Sequence, residues 1–468
     1  MTLAWIVGGC GHDPLPEGRR HVLIITVDTL RPDYLSAAGY DRPTSPFIDS
    51  LFAESLVFPR AITPVPRTTP ALASLMTGTY PHTHGVRRLL DRLEPDRPTL
   101  ASLARDRGLE TIAVVSNHLL TRERGLDRGF DIYDFAPDVR DAAATTRATL
   151  AALEDYDASD DLFVWVHYID PHVPYAPPAE LARQFDPGYD GRYALAFGSA
   201  GGTGDYAYPA DLSKEQAVFK NQLGDAVNAH VRRLYAADIR ATDDAIRTLV
   251  ESCRERFGDD WTIVFSADHG EDLGEHPFFY YDHGDYVYDG SLRIPLAITL
   301  PRRDPLWRAA SAPDRASLID VAPTLIELLD LAGHRAPAML EGVSLVPSLR
   351  GERLLERSLF AESGMSFFEK LVRRRSHFGV RGRFRAAVRD DWKLIFTPER
   401  GEHEAFELYD LANDPTEQVD QFAADHPAVS RLARDLETWL RTASDPSTLP
   451  HSADLERLRA LSGTASAP

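Results

Sequence analysis

Four apolar segments alternate with helical patterns along this chain, and the alternation constrains the fold more than any other feature of the sequence. Each segment is rich in β-branched or aromatic residues, which is typical of a strand that is buried on both faces. The segments cover residues 21–29, 111–116, 162–168 and 261–268. The helical patterns cover residues 45–54, 99–107 and 226–253. Strands that alternate with helices predict an α/β fold, in which a mostly parallel sheet lies between helices.

The chain from about Leu354 onwards follows a different pattern. Residues 384–388 and 392–396 alternate like the antiparallel strands of a hairpin, and residues 427–442 have the pattern of an amphipathic helix. The last twenty or so residues are rich in Ala, Ser and Pro and are expected to be loosely ordered. The sequence therefore predicts three parts: a leader and linker at 1–20, a main domain at 21–353, and a small C-terminal α+β subdomain with a closing helix at 354–468.

Charge and cysteine content exclude some classes of protein. The 468 residues include 51 basic and 71 acidic side chains, for a net charge of −20. This balance argues against a nucleic-acid partner, because nucleic acids are recognised chiefly through Lys and Arg. The two cysteines, Cys10 and Cys253, are far apart in the chain, which excludes a disulfide framework or a zinc knuckle.

The first ten residues form a short apolar run that ends in Gly8, Gly9 and Cys10. Such an ending resembles a bacterial lipoprotein signal, in which Cys10 would be lipidated and would anchor the protein outside the cytoplasm, in the periplasm or on a membrane. The run lacks a basic start and is short for a secretory signal. The alternative is an ordinary, mildly apolar N-terminus, and both interpretations stay open.

The start of a predicted helix carries two hydroxyl groups. Thr68 and Thr69 are favourable N-cap residues, Pro70 suits a first helical turn, and the helix-forming residues that follow end near Gly78. A hydroxyl at this place lies beside free backbone N–H groups, which stabilise an attacking oxygen or an anionic ester. Taken alone, the segment is equally consistent with a capped helix and no further role.

Metal-binding side chains follow two of the predicted strands. Asp28 ends the first strand, and Asp268 and His269 end the last one. The carboxyl ends of parallel strands meet at one edge of a sheet, where α/β proteins build their sites. With the Thr68 hydroxyl, these groups would form a four-ligand set for one divalent ion, which would lower the pKa of the hydroxyl. A single strand-end Asp is more often a helix cap or an ion-pair partner, so the prediction depends on the convergence of all three elements.

A series of short motifs runs in order along nearly the whole chain. They lie at residues 27–33, 68–85, 128–131, 168–175, 266–271, 283–296, 320–324 and 407–417. Together these motifs resemble the sulfatase family of the alkaline-phosphatase-like superfamily. The resemblance implies that residues 21–353 form a catalytic domain, and that one divalent metal ion, calcium, zinc, manganese or magnesium, binds at Asp28, Thr68, Asp268 and His269. His269 favours the transition metals among these.

The chain departs from the sulfatase pattern at three positions. The family has a Cys or Ser, which is oxidised to formylglycine, where this chain has Thr68, and threonine cannot form that aldehyde. The Arg expected four positions later is Leu72, and the second Asp of the usual calcium pair is Thr29. The ligand set more closely resembles relatives with a threonine nucleophile, such as lipoteichoic acid synthases, phosphoethanolamine transferases and nucleotide pyrophosphatase/phosphodiesterases. Those relatives act on phosphate esters.

Three further residues are candidates for contact with the substrate. His172 lies in a Pro-flanked loop and is predicted to bind an ester oxygen or to protonate the leaving group; the alternative is a histidine that only packs the loop. His283 matches the place where sulfatases have a Lys or His near the leaving group, and its alternative role is to cap a turn with Asp282. Arg67 suits a tetrahedral anion, but an ordinary surface arginine is nearly as consistent with the sequence.

These residues predict a metal-dependent hydrolase in which Thr68 attacks the sulfate or phosphate ester of an anionic glycan, lipid or small molecule. A phosphodiesterase or a phosphoryl-group transferase is the first alternative. A non-catalytic protein that binds a sulfated glycan is the second. Variable loops at residues 191–211 and 278–285 are expected to line the cleft, and nothing in them identifies the substrate.

Overall fold

A large mixed sheet and a smaller antiparallel sheet form the frame of the protein. The structure, a computed structural model, describes residues 21–137, 139–191, 193–197, 199–200, 206–207, 224–276, 281, 283–284, 286–331, 340–363, 383–397, 406–442 and 452–462. The predicted leader with Cys10 and most of the two variable loops lie outside these residues. No helix in the described part of the chain is long and apolar enough to span a bilayer.

The strands and helices of the described residues are as follows. The strands are β1 (His21–Val27), β2 (Leu56–Val57), β3 (Ala61–Ile62), β4 (Glu110–Val115), β5 (Ile132–Phe135), β6 (Leu162–Tyr168), β7 (Ser199–Ala200), β8 (Tyr206–Ala207), β9 (Trp261–Ala267), β10 (Arg293–Ile294), β11 (Leu296–Thr299), β12 (Ala310–Ser311), β13 (Ala316–Ser317), β14 (Leu359–Glu362), β15 (Arg385–Arg389), β16 (Trp392–Phe396) and β17 (Phe406–Asp410). The helices are α1 (Pro46–Phe52), α2 (Thr68–Thr77), α3 (Pro81–His84), α4 (Leu100–Asp106), α5 (Ala142–Ala152), α6 (Ala179–Phe185), α7 (Asp225–Phe257), α8 (Asp289–Leu292), α9 (Val321–Leu328), α10 (Val346–Leu349), α11 (Pro427–Leu440) and α12 (Ser452–Ser462).

The large sheet confirms the predicted α/β fold. Within the described residues its strand order is β12-β2-β11-β9-β1-β6-β4-β5, with β1 parallel to both β9 and β6. All seven residues of β1, β6 and β9 are buried, which explains why these strands are continuously apolar in sequence. The four predicted strands and the predicted long helix, here α7, are all present within a few residues of their expected bounds.

The register of the central strands decides where the functional residues lie. Val27 pairs with Ala267, so the next residues, Asp28 and Asp268, leave their strands side by side. They do so at the carboxyl edge of the sheet, as the sequence predicts. The β1 strand therefore brings together residues that are 240 positions apart in the chain.

The C-terminal sheet has the order β14-β15-β16-β17, and every pair in it is antiparallel. The predicted hairpin is present as β15 and β16, and Asp390 and Asp391 make its turn. Helix α11 packs on this sheet through residues such as Leu432 and Leu436, which are fully buried. The boundary near residue 354 stays a prediction.

The expectation of loose order at the C-terminus is wrong for residues 452–462, which form α12. Its side chains Leu455, Leu458 and Leu461 recur at helical spacing and pack into the same core as α11. Leu458 is fully buried. The leucine spacing was therefore a better guide than the Ala, Ser and Pro content.

A buried ion pair ties the C-terminal sheet to the main domain. Glu362, at the end of β14, accepts hydrogen bonds from Arg87 Nε at 2.7 Å and Nη2 at 2.5 Å, and it is 1% exposed. Burial alone would raise the pKa of Glu362, but the charges of Arg87 and Arg383 outweigh burial and lower this pKa to about 2. The ionised carboxylate therefore stabilises the fold above its unfolded pKa, and this contribution is lost as the pH falls towards 2.

We expect Glu362→Gln to lower the free energy of unfolding by about 3 kcal/mol at pH 6, because the variant loses the paired charge. The difference from wild type should narrow by about 2 kcal/mol between pH 6 and pH 3, because the carboxyl group of residue 362 becomes protonated in the unfolded chain over that range while it stays largely ionised in the folded protein. Urea unfolding at both pH values measures this. As a control, Glu356→Gln breaks only an exposed pair with Arg389 and should cost less than about 1 kcal/mol. A difference that stays constant with pH would contradict the assignment.

Candidate active site

Three buried side chains converge at the carboxyl edge of the large sheet. Asp28, Asp268 and His269 each offer one ligand atom, and these atoms all lie within 4.8 Å of one another. All three residues are fully buried. The structure therefore brings together three of the four predicted metal ligands, and the fourth, Thr68, is beside them.

The two carboxylates are only partly satisfied by hydrogen bonds. Asp28 Oδ2 accepts from Asn117 Nδ2 at 2.8 Å, and Asp268 Oδ1 accepts from the backbone N–H groups of His269 and Thr29 at 2.8 and 3.2 Å. Their other oxygens, Asp28 Oδ1 and Asp268 Oδ2, are buried and accept no hydrogen bond from the described residues. Two free carboxylate oxygens in the interior are costly unless a cation is bound between them, so these residues fit a metal ion.

The imidazole of His269 is oriented as a metal ligand requires. Its Nδ1 donates to Gly270 O at 2.9 Å, which leaves the lone pair of Nε2 facing the carboxylates. Nε2 lies 3.7 Å from Asp28 Oδ1 and 3.4 Å from Asp268 Oδ2. Burial, and then the neighbouring His283, lower the pKa of His269 well below its usual value, so the ring is neutral.

The two carboxyl groups differ in their electrostatic surroundings. Burial and the charge of Asp28 raise the pKa of Asp268 well above its usual value. Burial also opposes ionisation of Asp28, but the nearby imidazole of His172 and a hydrogen bond from His167 outweigh it and lower the pKa of Asp28. Without a cation, Asp28 is therefore the carboxyl group of the two that ionises more readily. A bound cation would favour ionisation of both Asp28 and Asp268.

Thr68 is the first residue of α2 and not its cap. Arg67 occupies the N-cap position, and no side chain caps the helix, so the expectation that a threonine caps it is wrong. The Thr68 hydroxyl instead faces the carboxylate cluster. Its Oγ1 lies 3.5 Å from Asp28 Oδ2 and 3.4 Å from His269 Nε2. The N-terminus of α2, which is the positive end of the helix dipole, and the Thr68 hydroxyl therefore both face the carboxylate cluster.

Two further histidines lie on the other side of the site. The rings of His283 and His269 are 4.4 Å apart, and those of His283 and His172 are 5.0 Å apart. His283 Nδ1 lies 3.0 Å from Oε1 of Glu271, which is fully buried, and His172 Nδ1 donates to Val173 O at 2.7 Å. Both predicted histidines are therefore brought to the cluster, and each has its Nδ1 engaged. The predicted alternative partner of His283, Asp282, lies outside the described residues.

Arg67 is 7% exposed, so the interpretation of an ordinary surface arginine is wrong. Its guanidinium packs against the backbone of Gly284, where an added Cβ would lie 1.8 Å from Nε. Glycine is required there, since Gly284 also has a φ of +94°. Arg67 is therefore held between the start of α2 and the residue that follows His283.

The sequence interpretation missed two residues of the site. Asn117 follows the predicted strand at 111–116 just as Asp28 follows β1, so its position at a strand end was a usable signal. Glu271 was noted only as part of a motif, and nothing in the sequence pairs it with His283. The pairing of Glu271 with His283 depends on the tertiary structure.

Comparison with known proteins gives a consistent result. A family described as Sulfatase matches residues 20–331, and one described as N-sulphoglucosamine sulphohydrolase, C-terminal, matches residues 274–445. The chain is 26% identical to a choline-sulfatase from Rhizobium meliloti (strain 1021), over 87% of this chain and 85% of the relative. It is 23% identical to an N-acetylglucosamine-6-O-sulfatase from Bacteroides thetaiotaomicron, over 89% and 85%. The structure of a phosphonate monoester hydrolase from Agrobacterium radiobacter is similar with a TM-score of 0.68 and 22% identity, over 90% of this chain and 95% of that one.

We expect Asp268→Asn to abolish stabilisation by a divalent ion. Mn²⁺ at a hundredfold excess over its Kd should stabilise the wild-type protein by about 3 kcal/mol, and should not stabilise the variant, which has lost one anionic ligand. In EDTA the variant should be at least as stable as wild type, because two facing carboxylates have become one. Thermal unfolding in EDTA and in Mn²⁺ measures both effects.

Asp243→Asn is the matched control, since Asp243 is also buried but accepts hydrogen bonds at the start of α1, from Phe47 and Ile48. Its response to Mn²⁺ should equal that of wild type. An undiminished response in Asp268→Asn would place the metal elsewhere.

Proposed function

Because this chain belongs to the sulfatase family, we propose that it is a metal-dependent hydrolase that cleaves a sulfate or phosphate ester with Thr68 as the nucleophile. The observation that carries the proposal is the position of Thr68 Oγ1, within 3.5 Å of both Asp28 Oδ2 and His269 Nε2. A hydroxyl at the end of a helix and beside a metal-binding cluster is placed for attack on an anionic ester.

Asp28, Asp268, His269 and Thr68 would hold one divalent ion. When bound, such an ion supplies Lewis-acid stabilisation to the attacking and ester oxygens and lowers the pKa of a hydroxyl. The chain's own contribution is to fix the ligands: Asn117 holds Asp28, and Gly270 O orients the ring of His269. Calcium, zinc, manganese and magnesium all suit this donor set, and the imidazole favours zinc or manganese.

Thr68 sets the chemistry of the covalent step. Oγ1 loses its proton to solvent and attacks phosphorus or sulfur, which forms a Thr68 ester and breaks the bond to the leaving alcohol. A second in-line attack, by water, must then cleave the Thr68 ester, return a proton to Oγ1 and release sulfate, phosphate or, from a diester, a phosphate monoester. Threonine has a single hydroxyl on Cβ, so this ester cannot break down through an aldehyde, as an ester of formylglycine can. This requirement favours a phosphate ester or a phosphoryl transfer over a sulfate ester.

His283 is placed to give a proton to the leaving oxygen. Its Nδ1 pairs with the buried Glu271, as a general acid with an orienting carboxylate does, and Nε2 is the atom that would give the proton to the substrate. The same ring can remove a proton from the water of the second step. The His172 ring lies 5.0 Å from the His283 ring, and His172 would bind a nonbridging oxygen of the ester.

Arg67 completes the proposed anion site. It is buried at the N-terminus of α2, next to the nucleophile, and its packing against Gly284 restricts its position. A guanidinium binds two oxygens of a tetrahedral anion in one plane, which would align the ester for attack by Thr68.

The substrate is proposed by class only. The names of the relatives include choline and glucosamine sulfates, which supports an anionic ester of a small alcohol or a glycan. A phosphodiesterase or phosphoryl transferase is the second candidate, because Thr68 and the ligand set favour phosphorus chemistry. Free buried oxygens on Asp28 and Asp268 argue against the third, a non-catalytic glycan-binding protein, since a site without metal would keep an uncompensated charge.

We expect Thr68→Ala to lower kcat/KM by at least about 10³-fold on whichever ester the wild type cleaves, because the nucleophile is lost. Thr68→Ser should keep measurable activity, since it retains the hydroxyl. The assay compares an aryl sulfate, a phosphate diester, a phosphonate monoester and a phosphate monoester in the presence of Mn²⁺, Zn²⁺, Mg²⁺ or Ca²⁺. Turnover of the diester or phosphonate with little sulfatase activity would favour the phosphorus branch.

Thr69→Val is the matched control, because Thr69 is the adjacent buried threonine and its hydroxyl makes no hydrogen bond with the described residues. Its kcat/KM should stay within a few fold of wild type. Activity of Thr68→Ala within tenfold of wild type would reject the proposed nucleophile. A wild-type protein that binds the metal and hydrolyses none of the four esters would favour the glycan-binding alternative.

The proposed location is outside the cytoplasm, with Cys10 as a lipid anchor. The support is the apolar run that ends in Gly8, Gly9 and Cys10. Two acyl chains or more would be needed for stable anchoring, because one chain binds a membrane only marginally. In a bacterial host, Cys10→Ser should move the protein from the membrane fraction to a soluble fraction, and no shift would reject the anchor.

A further inference from the structure

One lysine of this chain has an unusual position. Of the 51 basic residues only four are lysines, at positions 214, 220, 370 and 393, and Lys393 alone lies within the described residues. It belongs to β16, an inner strand of the C-terminal sheet, and its side chain is fully buried. A lysine is almost never fully buried unless it is paired, so its partners define its role.

Two acidic residues pair with Lys393: Glu417, which is buried, and Asp289, which is partly buried. Its Nζ lies 2.9 Å from Asp289 Oδ1 and 2.7 Å from Glu417 Oε1. Glu417 Oε2 also accepts the backbone N–H of Asp289 at 2.5 Å. Glu417 has a φ of +54°, a left-handed conformation that few residues other than glycine adopt. The segments that contain Asp289, Lys393 and Glu417 are therefore joined at one place. The backbone N–H of Asp289, which belongs to the main domain, takes part in this connection.

Asp289 is the first residue of α8, and α8 contacts both halves of the candidate active site. Ser291 O accepts the N–H of Gly270 at 2.8 Å, directly after the ligand His269. Leu292 O accepts the N–H of Thr63 at 2.9 Å, five residues before Thr68. The next strand, β10, pairs with β3: Arg293 lies opposite Ile62, and Ile294 lies opposite Ala61.

Helix α8 packs tightly against Gly270, the residue that follows the proposed ligand His269. A Cβ added to Gly270 would lie 2.1 Å from the carbonyl oxygen of Gly290. The two backbones therefore touch, and a shift of α8 by a fraction of an ångström must move Gly270 and the adjacent His269.

A buried charged cluster is a poor means of stabilising a fold, because the cost of desolvating the charges often exceeds their attraction. It does fix geometry, since each charge must keep its partner. We propose that Lys393, Asp289 and Glu417 are positioning residues that hold α8 so that His269 and the approach to Thr68 keep their places. The inference rests on the proposed role of His269 as a metal ligand, and it gives the C-terminal sheet a part in assembling the site.

The test uses the full-length protein with Lys393→Met and, because two unpaired carboxylates can prevent folding, also Glu417→Gln, which keeps the Lys393–Asp289 pair. Two quantities are measured. The first is the Kd for Mn²⁺, from the loss of the free-ion EPR signal. The second is backbone amide exchange in EDTA, by mass spectrometry, of the peptides that contain Gly270 and Thr63.

We expect Lys393→Met and Glu417→Gln to weaken Mn²⁺ binding by about tenfold or more, as loss of a group that orients a ligand does. Amide exchange should accelerate at Gly270 and Thr63, whose N–H groups donate to α8. With an active substrate, kcat should fall more than KM rises, because the ligand and nucleophile are misplaced while the substrate contacts remain.

Arg87→Met is the control, because it breaks another buried ion pair of the same sheet, with Glu362, and leaves Lys393, Asp289 and Glu417 in place. It should lower the melting temperature and leave the Kd for Mn²⁺ within twofold of wild type. The inference is rejected if the Lys393 and Glu417 variants show only the same loss of stability, with unchanged exchange at Gly270. If exchange accelerates but wild type binds no metal, the positioning role stands and the proposed function fails.

Discussion

The side-by-side placement of two buried carboxylates is the constraint on which the rest of this structure depends. Asp28 and Asp268 are next to each other because β1 and β9 are parallel and Val27 pairs with Ala267. Both are fully buried, and each has one oxygen that accepts no hydrogen bond from the described residues. A bound cation would favour ionisation of both carboxyl groups, so the arrangement fits a metal site.

The surrounding elements follow from that requirement. Helix α2 presents its N-terminus and the Thr68 hydroxyl to the carboxylates, and neutral His269 offers a candidate ligand atom without adding charge. The large sheet therefore sets the ligands. The C-terminal sheet is linked to the site through α8. Lys393 of that sheet donates a hydrogen bond to Asp289 in α8, and Ser291 O in α8 accepts the N–H of Gly270 beside His269.

Much of the fold and the core of the site could be predicted from the sequence. A strand buried on both faces is apolar throughout, so β1, β6 and β9 were visible as continuous runs, and the polar residues that end them were visible as candidate ligands. The predictions of a helix cap at Thr68, of an exposed Arg67 and of loose order at residues 452–462 were wrong. Each of those depends on what packs against the segment, and local residue preferences carry no information about that.

The sequence by itself determined the α/β class, the family and the metal-ligand types, because apolar periodicity and residue chemistry are local properties of the chain. Only the tertiary structure decided which groups meet. The pairing of Glu271 with His283, the support of Asp28 by Asn117, and the contact of Lys393 with Asp289 join residues 12, 89 and 104 positions apart. Such contacts are set by strand order and register, which a chain acquires when its elements pack together into one core.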